Sequence, residues 1–307
     1  MRKKSSKKHG VNSLLNRSQS AMEYLMTYGW AILIIAIVLV ALFSLGIFNS
    51  ANFAPRAQPG SCEVLRNSAQ TSLVGQCNGM LPEYVANFGG TGKISTALPT
   101  VQTVNTTMSA WFMPQTPYLG LEAIYYLGSA PPYPNSNGYG IVTSGANVGW
   151  CSTITHAYLV VLASSIGGYC FANSTFKMNA WNYVALVTTP DGSDRNFSLY
   201  LNGVHYLLTN NPIPKIPESN ALIGYSIEGY PFSGKIANVQ IYNASLSQSE
   251  IQALYQEGIG GAPINVNNLV GWWPLNGNAN DYSGYGNDGT AANVTYTSAW
   301  TSSYSAP

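Results

Sequence analysis

The chain has 307 residues, 13 Lys+Arg against 12 Asp+Glu, and only 8% charged residues, where a soluble domain carries roughly 25%. Positions 1–17 hold six of the basic residues and no acid, whereas positions 51–307 are net −4. That balance argues against a nucleic-acid-binding body, which needs a basic face to neutralise phosphate, and the wealth of Tyr, Trp, Val, Ile and Leu argues against disorder.

Positions 1–18 read as a basic cytosolic leader carrying Arg2, Lys3, Lys4, Lys7, Lys8 and Arg17. The run from Trp30 to Phe48, WAILIIAIVLVALFSLGIF, has Ser44 as its one polar side chain besides the indole N–H. Its nineteen residues span about 28 Å as a helix, close to the thickness of a hydrocarbon core. Met22–Tyr28 extends the same helix, so positions 19–48 are expected to form a single membrane-inserting segment. No basic residue occurs from Ser18 through Pro55, which predicts a cytosolic N-terminus and a body outside the cell.

A secretory signal peptide places its small-residue cleavage site after the apolar run. Here the polar landmark precedes it, as Gln19-Ser20-Ala21-Met22-Glu23-Tyr24-Leu25. This order resembles the class III signal peptides of archaeal type IV pilin-like proteins. The resemblance implies that a prepilin-type peptidase cuts between Ser18 and Gln19. It also implies that Glu23, costly as an unpaired carboxylate at the membrane edge, meets a freed α-amine within a filament or homo-oligomer. Ser18 stands where that family often has Gly, and Ala21 where it often has Ser.

Positions 49–60 (NSANFAPRAQPG) lose periodicity and gain Pro and Gly, the pattern of a linker. Positions 61–307 then form the expected body. Its four cysteines, Cys62, Cys77, Cys151 and Cys170, lie on the extracytoplasmic side, where disulfides persist. Three connectivities are open; Cys62–Cys77 with Cys151–Cys170 is favoured because each closes a short loop. With no Cys-x-x-Cys pair, zinc is disfavoured. Sequons at Asn105, Asn173, Asn196, Asn243 and Asn293 suit a surface location with N-glycosylation.

From about position 85, short β-rich runs alternate with turn residues. Expected strands include Thr107–Phe112, Ala123–Leu127, Ala157–Ala163, Tyr183–Thr188, Phe197–Leu201, Val204–Leu208 and Ile236–Tyr242. Asn202-Gly203 between two of them suits a two-residue hairpin, since both positions accept positive φ. The body's one clear helix signal is Ser247-Gln248-Ser249-Glu250, with capping-box spacing, followed by Ile251, Leu254, Tyr255 and the terminator Gly258. Many strands and few helices predict a mainly β sandwich or barrel.

Several stretches occur in a shared order: Met108-Ser109-Ala110-Trp111-Phe112, Trp181 to Val187, Leu199 to Val204, Phe232 to Ile236 running into Val239 to Asn243, and Leu246 to Ile251. This order resembles the LamG-like jelly rolls of the concanavalin A-like lectin/glucanase fold. The segment Leu269 to Gly284 resembles the stretch that normally begins such a unit, yet here it comes last. The 39 residues from Leu269 onward are too few for a second core. They are expected to fold back as missing strands of the first unit, a circular permutation.

The resemblance also implies calcium at the Asp281–Gly289 loop, with Asp281 and Asp288 as oxygen ligands, although Asn238 stands where a further carboxylate is expected. Asp191-Gly192-Ser193-Asp194 fits a hairpin loop better than a metal site. Glucanases of this fold need two carboxylates flanking the scissile bond, typically as Glu-x-Asp-x-x-Glu, and no such run occurs. His156 and His205 lack an adjacent nucleophile and acid, and Gly89 to Lys93 lacks the Ser/Thr and helix of a phosphate loop. No catalytic residue is therefore named. Tyr125, Tyr126, Tyr133 and Tyr139 lie near Pro/Gly/Asn loops, where a sugar-stacking patch is the alternative to ordinary loop packing, and no residue is named for a glycan site. The expected protein is a cell-surface adhesion or recognition molecule with a glycan or protein ligand. The alternatives are a structural pilin or envelope subunit and a surface glycan-degrading hydrolase.

Overall fold

A 33-residue helix, α1 (Asn12–Ser44), opens the computed structural model, which describes residues 12–45, 47, 53–102, 105–115, 121–129, 137–144, 158–163, 167–191, 194–211, 217–226 and 229–307. Along α1 the apolar side chains Ile32, Leu33, Ile34, Ile35 and Phe43 are all exposed. Among the described residues no helix is long and apolar enough to cross a membrane. The described helical side chains run unbroken only from Tyr28 to Ser44, and Gly46 and Phe48 of the expected span lie outside the described residues. Ser18, Gln19 and Glu23 fall within α1, and their side chains also lie outside the described residues.

The chain divides into Met1–Asn52 and Phe53–Pro307, so the body starts inside the stretch 49–60 that the sequence suggests is a linker. Its first strands are β1 (Arg56–Ala57), β2 (Cys62–Arg66), β3 (Thr71–Gly75), β4 (Leu81–Pro82) and β5 (Val85–Asn87). Next come β6 (Lys93–Gln102), β7 (Thr106–Pro114), β8 (Leu121–Ser129), β9 (Asn137–Ser144), β10 (Tyr158–Ala163) and β11 (Gly167–Thr175). They are followed by β12 (Asn182–Asp191), β13 (Asp194–Leu201), β14 (Val204–Asn211), β15 (Pro217–Ile223) and β16 (Gly234–Tyr242). Helix α2 (Gln248–Glu257) then precedes β17 (Leu269–Trp273), β18 (Thr290–Ala292) and β19 (Thr295–Thr297).

Two antiparallel sheets face each other. One has the order β11-β10-β9-β8-β15-β6-β18, the other β14-β13-β12-β7-β16-β5-β19, with β17 also paired to β16. Alternation along each strand sends Phe112, Val184, Leu186 and Leu199 from one sheet, and Tyr125, Leu127, Ile141 and Leu159 from the other, into a shared core. Each expected strand is present and most are longer than the hydrophobic runs that signal them. Asn202 and Gly203 both take positive φ (50° and 82°), closing the β13–β14 hairpin at the Leu201↔Val204 pair.

Ser247 caps α2 with both halves of the capping box formed. The helix lays Tyr255 on Trp111, ring centroids 5.9 Å apart, on the outer face of the second sheet. Tyr183, Tyr304 and Trp300 complete that aromatic layer.

The tail behaves as the sequence suggests: β17 pairs with β16, β18 with β6 and β19 with β5, so it supplies strands to both sheets. Adjacent residues of β17 serve opposite faces. Trp273 enters the sandwich core, whereas Trp272 lies outside it against Tyr282, centroids 6.3 Å apart.

Candidate functional site

The segment ahead of the sandwich builds two small sheets, β2–β3 and the parallel pair β1–β4. A disulfide between Cys62 and Cys77 clamps the β2–β3 hairpin at its open end. Arg66 fastens the hairpin to the tail. Its Nε donates to Ser283 O at 2.7 Å, and its guanidinium also donates to the carbonyls of Val266 (2.8 Å) and Leu269 (2.7 Å). The same guanidinium lies 4.2 Å above the Tyr285 ring. The β1–β4 pair is held by Asn276, whose Oδ1 accepts from the Tyr84 N–H and whose Nδ2 donates to Ala57 O, both at 2.8 Å.

Between these two attachments lies a small cleft. Buried Trp272 forms its floor, and Met80, Pro82, Ile259 and Pro274 add apolar wall. The indole N–H of Trp272 donates to Asn238 Oδ1 at 2.8 Å, and Asn238 Nδ2 donates to Gly261 O at 2.7 Å. Asn238 can reach both because it sits at positive φ (50°) in a β-bulge. Gln58 and Gln76, both exposed, stand at the rim. A Cβ on Gly260 would meet the Met80 carbonyl at 2.2 Å, so only glycine permits that wall to close. The lining includes no ionisable group, its two cysteines being bridged.

In the Asp281–Gly289 loop, where the sequence suggests calcium, the aspartate oxygens are engaged in hydrogen bonds. Asp281 Oδ1 accepts from the N–H groups of Trp272 and Ser283, both at 2.9 Å. Its Oδ2 accepts from the Ser283 hydroxyl (2.8 Å) and the Asn287 N–H (2.9 Å). A carboxylate offers about four acceptor sites, and all four serve the loop. Asp288 Oδ1 caps the Asp281 N–H at 2.8 Å. Among the described residues no group of three His, Cys, Asp or Glu side chains is gathered as a metal site.

Tyr125, Tyr126 and Tyr139 are buried at 2%, 0% and 1% exposure; they are core residues rather than a surface patch, and Tyr133 lies outside the described residues. His205 stacks on Tyr200, centroids 4.6 Å apart, and His156 lies outside the described residues. Cys170 is disulfide-bonded, while Cys151 lies outside the described residues. Among the sequons, Asn105, Asn243 and Asn293 are exposed and Asn196 is half-buried; the Asn173 side chain lies outside the described residues. Asp191 and Asp194 pair across the β12–β13 turn, as expected for a hairpin loop.

Sequence reasoning passes over one unusual carboxylate. Glu122, on β8 and 9% exposed, accepts from the Ser233 N–H at 3.0 Å. Burial pushes its carboxyl up to about 7, and the Ser233 bond only partly offsets this. Among the described residues no charged side chain contributes to that shift. The cleft was equally hidden, because its walls come from positions 57–82 and 238–276 and no local motif joins them.

A laminin G-type family model, described as the concanavalin A-like lectin/glucanases superfamily, matches residues 88–252, more than half of the chain. No curated protein matches significantly. Among solved structures, a heptameric SAP-like pentraxin from Limulus polyphemus aligns with TM-score 0.50 and 14% identity, over 69% of this chain and 94% of the pentraxin. A candidate carbohydrate-binding protein from Bacteroides ovatus aligns with TM-score 0.52 and 17% identity, over 74% of this chain and 66% of its own. At these identities the two structures testify to the fold. With the two-sheet sandwich, its capped helix and the family match in agreement, the chain belongs to the concanavalin A-like lectin/glucanases superfamily.

Proposed function

We propose that the sandwich is a non-catalytic carbohydrate-recognising head, displayed outside the cell by the N-terminal helix. The observation that carries recognition is the two-sheet sandwich, whose family model matches residues 88–252. The choice of lectin over glucanase follows the sequence, which has no Glu-x-Asp-x-x-Glu run to supply the two carboxylates that glycoside hydrolysis needs. The carbohydrate-binding description of the Bacteroides ovatus neighbour supports the same assignment.

Display at the surface draws support from the exposed Ile, Leu and Phe side chains of α1, which need lipid or neighbouring helices to cover them, and from the basic cluster ahead of them. On this proposal a prepilin-type peptidase trims the leader at Gln19, and the trimmed helix sits in the membrane or in the core of a filament.

A glycan array probed with the detergent-solubilised chain tests recognition; a blank array refutes it. Protease added to intact cells should remove the head, and N-terminal sequencing of the mature protein should begin at Gln19. A head protected until lysis overturns the surface location.

A further inference from the structure

We infer that the cleft between the disulfide hairpin and the tail is the ligand site of this head and takes an uncharged sugar; the inference rests on the carbohydrate-recognition proposal above. The chemistry of the walls selects the ligand class. No ionisable side chain lines the cleft, so a sialic or uronic acid entering it would lose hydration without gaining a cation. Arg66, on the same hairpin, is committed to three carbonyls.

An uncharged pyranose or furanose meets what it needs. Met80 and Pro274, both half-buried, offer apolar surface to the C–H face of the ring. The amides of Gln58 and Gln76 at the rim each present both a donor and an acceptor to hydroxyls.

The cleft is also built before any ligand arrives. The Cys62–Cys77 bridge, the Asn276 ties to Tyr84 and Ala57, and the Gly260 contact with Met80 fix its walls. Little ordering cost is then left for binding. Of the wall residues only Asn238 falls within the family-matched segment 88–252. The wall from Ala57 to Pro82 is therefore supplied by the segment ahead of the family-matched sandwich.

Isothermal titration calorimetry of the full chain in detergent, against maltotriose, cellotriose, mannotriose and xylotriose, with sialyllactose and digalacturonate as acidic probes, tests it. Saturable binding of at least one neutral trisaccharide and none of the acidic probes is expected. Gln76→Ala should weaken that binding about tenfold, as loss of one or two hydrogen bonds would. Gln76→Trp, which swings an indole across the mouth from an exposed position, should abolish it, with both variants melting like the parent. Neutral-sugar binding unchanged in both variants overturns the location while recognition stands. Binding confined to the acidic probes overturns the ligand class. No binding to any probe overturns the inference, and the glycan array then decides whether recognition itself falls.

Discussion

The Tyr84 N–H donates to Asn276 Oδ1 at 2.8 Å although 192 positions separate the two residues. This bond is one of many by which the last part of the chain holds the first. Deletion of residues 266–307 removes β17, β18 and β19 together with Trp273 from the core. The truncated chain is expected to lose cooperative unfolding altogether, read by near-UV circular dichroism. A truncation that melts at the parental temperature would show that the tail is an accessory.

Arg66→Ala strips three charge-assisted hydrogen bonds and the stacking on Tyr285, leaving the carbonyls of Val266, Leu269 and Ser283 without this donor. A loss of roughly 3 kcal/mol follows from such bonds, or about 6–12 °C in melting temperature for a body of this size. Differential scanning calorimetry checks it; Arg66→Lys should recover only part, because an ammonium cannot reproduce the planar fork.

Glu122 should make stability depend on pH. Its carboxyl is raised to about 7 in the fold from an ordinary value near 4.5. Its contribution is therefore full below pH 4.5 and is lost as pH rises through 7, because folding then requires a buried charge. Glu122→Gln keeps an oxygen for the Ser233 N–H and removes the charge. The variant should melt higher than the parent at pH 8 and match it at pH 4.5. Equal melting temperatures at both pH values would place the carboxylate in water.

Calcium should leave the melting temperature unchanged, within about 1 °C, whether it is added in excess or removed by chelator, because linkage stabilises only where the ion binds the folded state. Asp281→Ala, by contrast, strands four donors, each costing about 1–3 kcal/mol when buried and unsatisfied. A calcium-dependent rise in the parent that is absent in Asp281→Ala would restore this loop as a metal site.

Local patterns announced the sandwich well. The Asn202-Gly203 turn, the Ser247–Glu250 capping box and the β-rich runs of β7, β12 and β16 each depend on neighbours in sequence, and each appears as expected. The return of the tail to the sheets was legible through the resemblance of Leu269–Gly284 to a LamG-like stretch. What stayed hidden depends on distant partners. Tyr125 and Tyr139 sit beside loops in the sequence, yet burial between sheets decides their role. Asp281 has the composition of a calcium ligand, but its acceptors are filled by Trp272, Ser283 and Asn287. The cleft needed Met80, Trp272 and Gly260 to converge, which no run of residues encodes.

Because β17 lies against β16 and β18 and β19 extend the two sheets, the ribosome must deliver positions 269–297 before either layer can be completed. Until then the place of Trp273 in the interior stays empty and part of the apolar filling between the layers lacks its cover.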